Sequence, residues 1–227
     1  RKITKHFIID SHIVQKMREL GYEAEYLKQY SDRKYFNPKP RQEVFSVSCS
    51  MAGTFDEMII NSIEKYIRPS KEPYQKSYNA VLDFSVKLNK DCKYIDVFSI
   101  CKDYEIDPET RERHAFQQGC MYAQKLIMRA RICLEVTKFS DIHLYGQGGM
   151  KYGVHTASHN SIIKHGNLLE CLDLPYLYSS AKINYCDTQF PAACHQRIVD
   201  ITACRGFVIA PKKSDQVPVA GSDQPIR

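Results

Sequence analysis

Tryptophan is absent from the 227 residues, glycine and proline number only ten each, and the nine cysteines form no C-x-x-C pair. So little glycine and proline excludes collagen-like and low-complexity chains. No stretch approaches the roughly 18 consecutive apolar residues of a membrane span, and the first thirty residues are charged throughout, which predicts neither a transmembrane helix nor a secretory signal. An odd, scattered cysteine count is not a disulfide framework. Cys133 in RICLEV and Cys101 in FSICK lie within apolar runs, where a reduced thiol acts as a small core hydrophobe, so a reducing, intracellular compartment (cytoplasm or nucleus) is expected. There is no P-loop, dinucleotide fingerprint, G-x-S-x-G or H-E-x-x-H. The sequence opens on Arg1 rather than Met, which predicts a fragment or processed piece.

What is present suits a globular domain of ordinary size: 43% hydrophobic and 26% charged residues, with fifteen Tyr and ten Phe. The net charge is +6, and residues 1–42 carry ten Lys/Arg against five Asp/Glu, so the basic character is N-terminal. Such a patch fits phosphate contact and equally fits a solvated helix face.

Helical spacing of Ile13, Val14, Met17 and Leu20 predicts a helix over 11–21, with Ser11 as cap and Gly21 at the exit. EVFSVS at 43–48 alternates as a strand does, and GTFDEMIINSIEKYI predicts a second helix. The runs 80–88 and 93–101, separated by NKDC, read as a β-hairpin. Asp107-Pro108 opens a long helix over about 108–134 that leads to a strand near 133–144. KINYC at 182–186 and GFVIA at 206–210 are further strands, and 211–227 reads as a disordered tail.

Asp83 and Asp96 interrupt apolar runs (AVLDF and YIDVF), and a carboxylate in a half-buried strand is costly unless it meets a cation. With the hairpin centred on Lys90 and Asp91, the two carboxylates share one face as diagonal neighbours, roughly 7–8 Å apart at the backbone and within reach of one Mg²⁺ or Mn²⁺. A salt bridge from Lys87 or Lys125 would also account for Asp96. On the long helix, Gln118, Tyr122, Lys125 and Arg129 form one polar ridge suited to a phosphate backbone.

A helix glutamate (Glu57 in GTFDE), a first strand aspartate (Asp83 in VLDF), a second strand acid (Asp96 in YIDVF) and Q-x-x-x-Y on the following helix (Gln118 and Tyr122) stand in that order over about residues 53–126. In this the chain resembles the RecB-like branch of the PD-(D/E)XK nuclease superfamily. The resemblance implies metal-dependent phosphodiester hydrolysis, with Glu57, Asp83 and Asp96 holding Mg²⁺ or Mn²⁺ and Gln118 and Tyr122 orienting the scissile strand, beside which Arg129 of the polar ridge is expected to bind nucleic acid. The family's lysine position is Phe98 here, so Lys125 is expected to act on the attacking water or the phosphate; failing that, the fold binds nucleic acid, DNA or RNA, without cutting it. Thr54 and Glu57 also stand at capping-box spacing, which explains Glu57 without a metal.

A second, weaker candidate is zinc: His155 and His159 in HTASH share a helix face, with Cys186, Cys194, His195 or Cys204 to complete a set. The expected architecture is α/β, a central mixed sheet containing the 80–101 hairpin flanked by helices. It divides into a nuclease-like core over 1–145, a less regular His/Cys-containing lobe over 146–210 and the tail. The alternative function is a non-enzymatic interaction protein, viral or a subunit of a larger assembly, whose Tyr-rich surface meets a partner chain and which carries at most a structural zinc.

Overall fold

The stripe of Val14 and Met17 folds as helix α1, Ser11–Glu19, between two short parallel strands, β1 (His6–Ile8) and β2 (Ala24–Tyr26), with His6 opposite Ala24. Asp10, not Ser11, is the N-cap: its Oδ1 accepts from Ile13 N at 3.0 Å, while Ser11 is already helical. Val14 and Ala24 are buried where helix meets strand. Phe7 and Leu27, two positions apart in phase on the opposite face, are exposed. The structure is a computed structural model, and it describes residues 5–53, 119–120, 125, 128–146, 161–166, 171–187 and 195–210.

The chain is α/β. Strands β3 (Cys49–Ala52), β4 (Ile142–Tyr145), β5 (Ile162–Lys164), β6 (Ile183–Tyr185) and β7 (Val208–Ile209) form one five-stranded sheet in the order β5-β4-β3-β6-β7. Every pairing is parallel, and Cys49 lies opposite both Ile142 and Ile183, which makes β3 the central strand. Parallel neighbours need helical crossovers. Helix α2 (128–137) precedes β4, α3 (Leu174–Ser180) precedes β6, and α4 (Gln196–Ala203) joins β6 to β7.

The helices cover both faces. On one, Cys49, Met51, Ile142, Leu144 and Ile162 pack with Ala130 and Cys133 of α2. On the other, Ala52, Tyr145 and Cys186 pack with Leu177 and Tyr178 of α3, Ile201 of α4, and Phe45 and Val47. At about 25 cal/mol per Å² of apolar surface, these clusters supply the main drive for folding. One polar tie crosses the centre of the sheet: Ser50 Oγ donates to Asn184 Oδ1 at 2.9 Å, and Asn184 Nδ2 donates to Tyr178 O at 3.2 Å. Both side chains are buried, and the pairing removes the desolvation cost that either would carry alone.

Several expectations are corrected. The run EVFSVS is not a strand: Glu43–Phe45 makes a 3-10 turn and β3 begins at Cys49. The long helix continues to residue 137, where 119, 120 and 125 are also helical, so the following strand starts only at Ile142. Strands β5, β6 and β7 lie within residues 146–210 and join β3 and β4 in one sheet. Every described pairing in this sheet is parallel, and the 80–101 hairpin expected to make it mixed, the 54–67 helix and the 211–227 tail lie outside the described residues.

Candidate functional site

Strand order fixes where a ligand can enter. From β3 the chain builds outward through β4 to β5 on one side, then crosses to β6 and β7 on the other. Helix α2, between β3 and β4, and helix α4, after β6, cover opposite faces, so the strand order reverses between β3 and β6, the position at which open α/β sheets take a ligand at the carboxyl ends of their strands. The residues there are Gly53, directly after β3, and Asp187, two residues after β6.

The backbone is shaped for close approach. Gly53 N donates to Tyr145 O at 2.9 Å, and Gly146 N donates to Gly166 O at 2.6 Å, so the ladder continues past the strand ends. Gly146 has φ +151°, and a Cβ there would fall 1.6 Å from Gly53 O, so only glycine fits. A Cβ on Gly53 would lie 3.0 Å from Arg129 Nη1, so the missing side chain makes room for the guanidinium.

Arg129 reaches this point from α2 and bonds Asp187 on two edges: Nε donates to Oδ1 at 2.9 Å and Oδ2 at 3.0 Å, and Nη2 donates to Oδ1 at 2.7 Å. The side chains are 2% and 7% exposed. Burial alone would push the Asp187 carboxyl up, but the Arg129 charge and its hydrogen bonds, helped by Arg197 and Lys125, outweigh it and hold the group below the usual carboxylate range. Asp187 is thus an anion kept in place by surrounding cations.

His195 completes the edge. It is the N-cap of α4, with Nδ1 accepting from Arg197 N at 3.1 Å. An accepting Nδ1 requires a deprotonated nitrogen there, which puts the proton of the neutral ring on Nε2. Burial first, then the charge of Arg197, push its pKa down to about 4, against a smaller opposing pull from Asp187. Three cations, Lys125, Arg129 and Arg197, thus act on one carboxylate and one neutral imidazole. Among the described residues that act on this edge, the cations outnumber the carboxylate.

Of the residues singled out in the sequence, Lys125 and Arg129 are described, one helical turn apart and both at this edge. Arg129 was expected on an exposed ridge; it is instead buried, because Asp187 and the gap at Gly53 draw the guanidinium inward. Glu57, Asp83, Asp96, Gln118 and Tyr122, and for zinc His155, His159 and Cys194, lie outside the described residues. Of the described zinc candidates, His195 caps α4 and Cys186 is buried in the core with Sγ 3.6 Å from Asp187 O. Burial pushes the Cys204 thiol up to about 11, so it is a packed thiol rather than a ready thiolate. Among the described residues, no three of His, Cys, Asp and Glu gather as a metal ion would require.

Sequence reasoning missed Asp187. Its signal was a carboxylate in CDT just after a predicted strand, but the meaning of that position depends on strand order. A second titratable cluster, His143 Nδ1 2.8 Å from His165 Nε2 with Tyr145 stacked on His165, lies between β4 and β5; burial lowers both histidines. No helix among the described residues is long and apolar enough to cross a membrane. The chain matches no family model, no curated protein and no solved structure.

Proposed function

We propose that the chain binds a phosphate-bearing nucleotide ligand, free or as part of a nucleic acid strand, in the crevice between the carboxyl ends of β3 and β6. The observation that carries the reading is the coincidence of three features there: reversal of strand order, a Gly53–Gly146 contact that seats the Arg129–Asp187 pair at the strand ends, and two further cations, Lys125 and Arg197, acting on that same carboxylate. Open α/β sheets take their ligands at this position, and a net positive mouth favours an anion. The basic stretch over 1–42 adds a steering field of the same sign.

Metal-dependent phosphodiester hydrolysis is the reaction that the nuclease resemblance implies. Lys125, its one described member in a chemical role, lies at the cationic edge. Its metal candidates Glu57, Asp83 and Asp96 lie outside the described residues.

Labelled single- and double-stranded DNA and RNA, titrated onto the full chain at several salt concentrations, test the reading, with cleavage followed in Mn²⁺, Mg²⁺ and EDTA. Binding should weaken with salt, and Lys125→Ala and Arg197→Ala should each lower affinity and make the salt slope shallower by about one charge. Metal-dependent cutting lost in Asp83→Asn supports the nuclease reaction; binding without cutting supports a fold that binds without cleaving. If no nucleic acid or nucleotide binds, the reading fails and the protein-interaction alternative gains, with exposed Phe7, Leu20, Tyr22 and Leu27 as its surface.

A further inference from the structure

Two histidines outside the β3–β6 site meet through their ring nitrogens. His143 Nδ1 and His165 Nε2 are 2.8 Å apart, the rings are 15° from parallel and their centroids are 5.0 Å apart. That separation is close to the nitrogen contact plus one ring radius on each side, so the imidazoles lie edge to edge with their nitrogens facing each other. The strands produce the meeting. The β4–β5 register sets His143 opposite Ile163, and side chains two positions apart share a face, so His165 comes diagonally across from His143. His165 is exposed and His143 half-buried, which leaves the pair open to a solute.

Both rings stand on fixed backbone. His143 lies inside β4, which is hydrogen-bonded to β3 on one side and β5 on the other. His165 N donates to Leu144 O at 2.9 Å, and the carbonyl of the next residue, Gly166, accepts from Gly146 N at 2.6 Å, so the chain is tied to β4 on both sides of His165. The Tyr145 ring stacks on His165, 4.5 Å between centroids and 6° from parallel, and Tyr145 is itself buried with its ring edge-on to Phe45 at 6.0 Å. The orientation of the His165 imidazole is thus set before anything binds. Burial lowers the pKa of both histidines, which favours the neutral ring that a metal requires.

Two nitrogen donors at about 2.0 Å from one ion and at right angles to each other stand about 2.8 Å apart, whereas tetrahedral positions would spread them to about 3.3 Å. We propose that His143 and His165 chelate one Cu²⁺ or Ni²⁺ ion through Nδ1 and Nε2, as neighbouring corners of a tetragonal or octahedral shell whose remaining positions hold water. In the free pair one of the facing nitrogens carries the proton that the other accepts. Chelation uses both lone pairs, so the donating ring moves its proton to its outer nitrogen, each neutral imidazole keeps one N–H, and no proton is released. A small turn of the rings changes the lone pairs from facing one another to converging on the ion. The site stands independently of the nucleotide reading of β3 and β6.

The test titrates Cu²⁺, Ni²⁺ and Zn²⁺ by calorimetry onto the untagged full chain and its His143→Ala and His165→Gln forms, with electron paramagnetic resonance of the Cu²⁺ samples to identify the bound nitrogens. His165→Gln leaves His143 a hydrogen-bond partner while removing the second imidazole, so it decides the matter if His143→Ala fails to fold; metal-free melts of both variants check the fold. Wild type should bind one more Cu²⁺ or Ni²⁺ ion than either variant, Ni²⁺ more tightly than Zn²⁺, and its Cu²⁺ spectrum should carry two imidazole nitrogens that neither variant shows. Loss of a direct ligand should lower affinity by more than the roughly 10–100-fold that loss of an outer-shell partner costs. Folded variants that match wild type in stoichiometry and affinity overturn the site and leave the pair as a hydrogen bond only. Loss in one folded variant but not in the other overturns chelation by the pair. Tighter binding of Zn²⁺ than of Ni²⁺ overturns the right-angled arrangement and with it the assignment of the metal.

Discussion

Removing Asp187 should cost far more than the Arg129–Asp187 pair itself contributes. In Asp187→Ala the guanidinium keeps its buried position, 2% exposed, and loses these three bonds to the carboxylate. A buried charge left without its counter-ion costs about 3–5 kcal/mol, a large share of the roughly 5–15 kcal/mol that holds a domain together. For a chain of this length, about 2–4 °C of melting temperature corresponds to each kcal/mol, so Tm should fall by roughly 6–20 °C. Arg129→Met strands the carboxylate instead, and the sign of its pH dependence should invert. In wild type, the Asp187 pKa is held down, so its stabilisation is present above the unfolded carboxylate range and is lost as pH falls through it. Without Arg129, burial raises the same group, and stability should be lost as pH rises. The double variant Arg129→Met with Asp187→Leu should recover most of the loss, because the pair's Coulomb gain was largely offset by desolvation. Urea unfolding of the four proteins, read as a double-mutant cycle, measures this. Single variants that each cost less than about 1 kcal/mol, the range of solvated surface pairs, would refute the reasoning.

His195 and Gly146 give two further tests. His195 has a pKa of about 4 against 6.5 for an ordinary histidine, so the unfolded chain takes up a proton first as pH falls; stability present above about 6.5 should decline toward 4 by roughly 3 kcal/mol. His195→Asn retains a side-chain cap acceptor and should flatten that decline, and denaturation midpoints between pH 7 and 4 check both curves. Gly146→Ala should abolish soluble expression or lower Tm by more than 10 °C, about 4 kcal/mol at this chain length, because its Cβ would meet Gly53 O at 1.6 Å; a melt within 3 °C of wild type would show that the two strand ends separate freely.

How much of this was legible in the sequence depends on the range of each signal. Helix α1 was readable because Val14 and Met17 alternate with charged residues over two turns, a pattern contained in one segment. β6 and β7 announced themselves through β-rich runs in KINYC and GFVIA. β3 was misplaced for a physical reason: all four of its residues are buried, since a central parallel strand is covered on both faces and shows no alternation, whereas the alternating EVFSVS immediately before it pointed to the wrong place. Lys125 and Arg129 were found by helical spacing. Their partner was not, because nothing in the sequence relates Arg129 to Asp187, 58 positions later, and the value of both positions comes from an order of strands that only the folded sheet displays.

The position of β3 also has consequences for how the protein comes into being. Its two neighbours in the sheet begin at Ile142 and Ile183, so the middle of the structure pairs with segments synthesised long after it. At about 5–20 residues per second of translation, the stretch from Ala52 to Tyr185 takes on the order of ten seconds to emerge, and for that time the four buried residues of β3 have an open edge. Pairings between such distant segments also fold slowly. The nascent chain therefore passes through a state in which the strand that ends fully buried is the least protected one, and the site at the ends of β3 and β6 is among the last features to form.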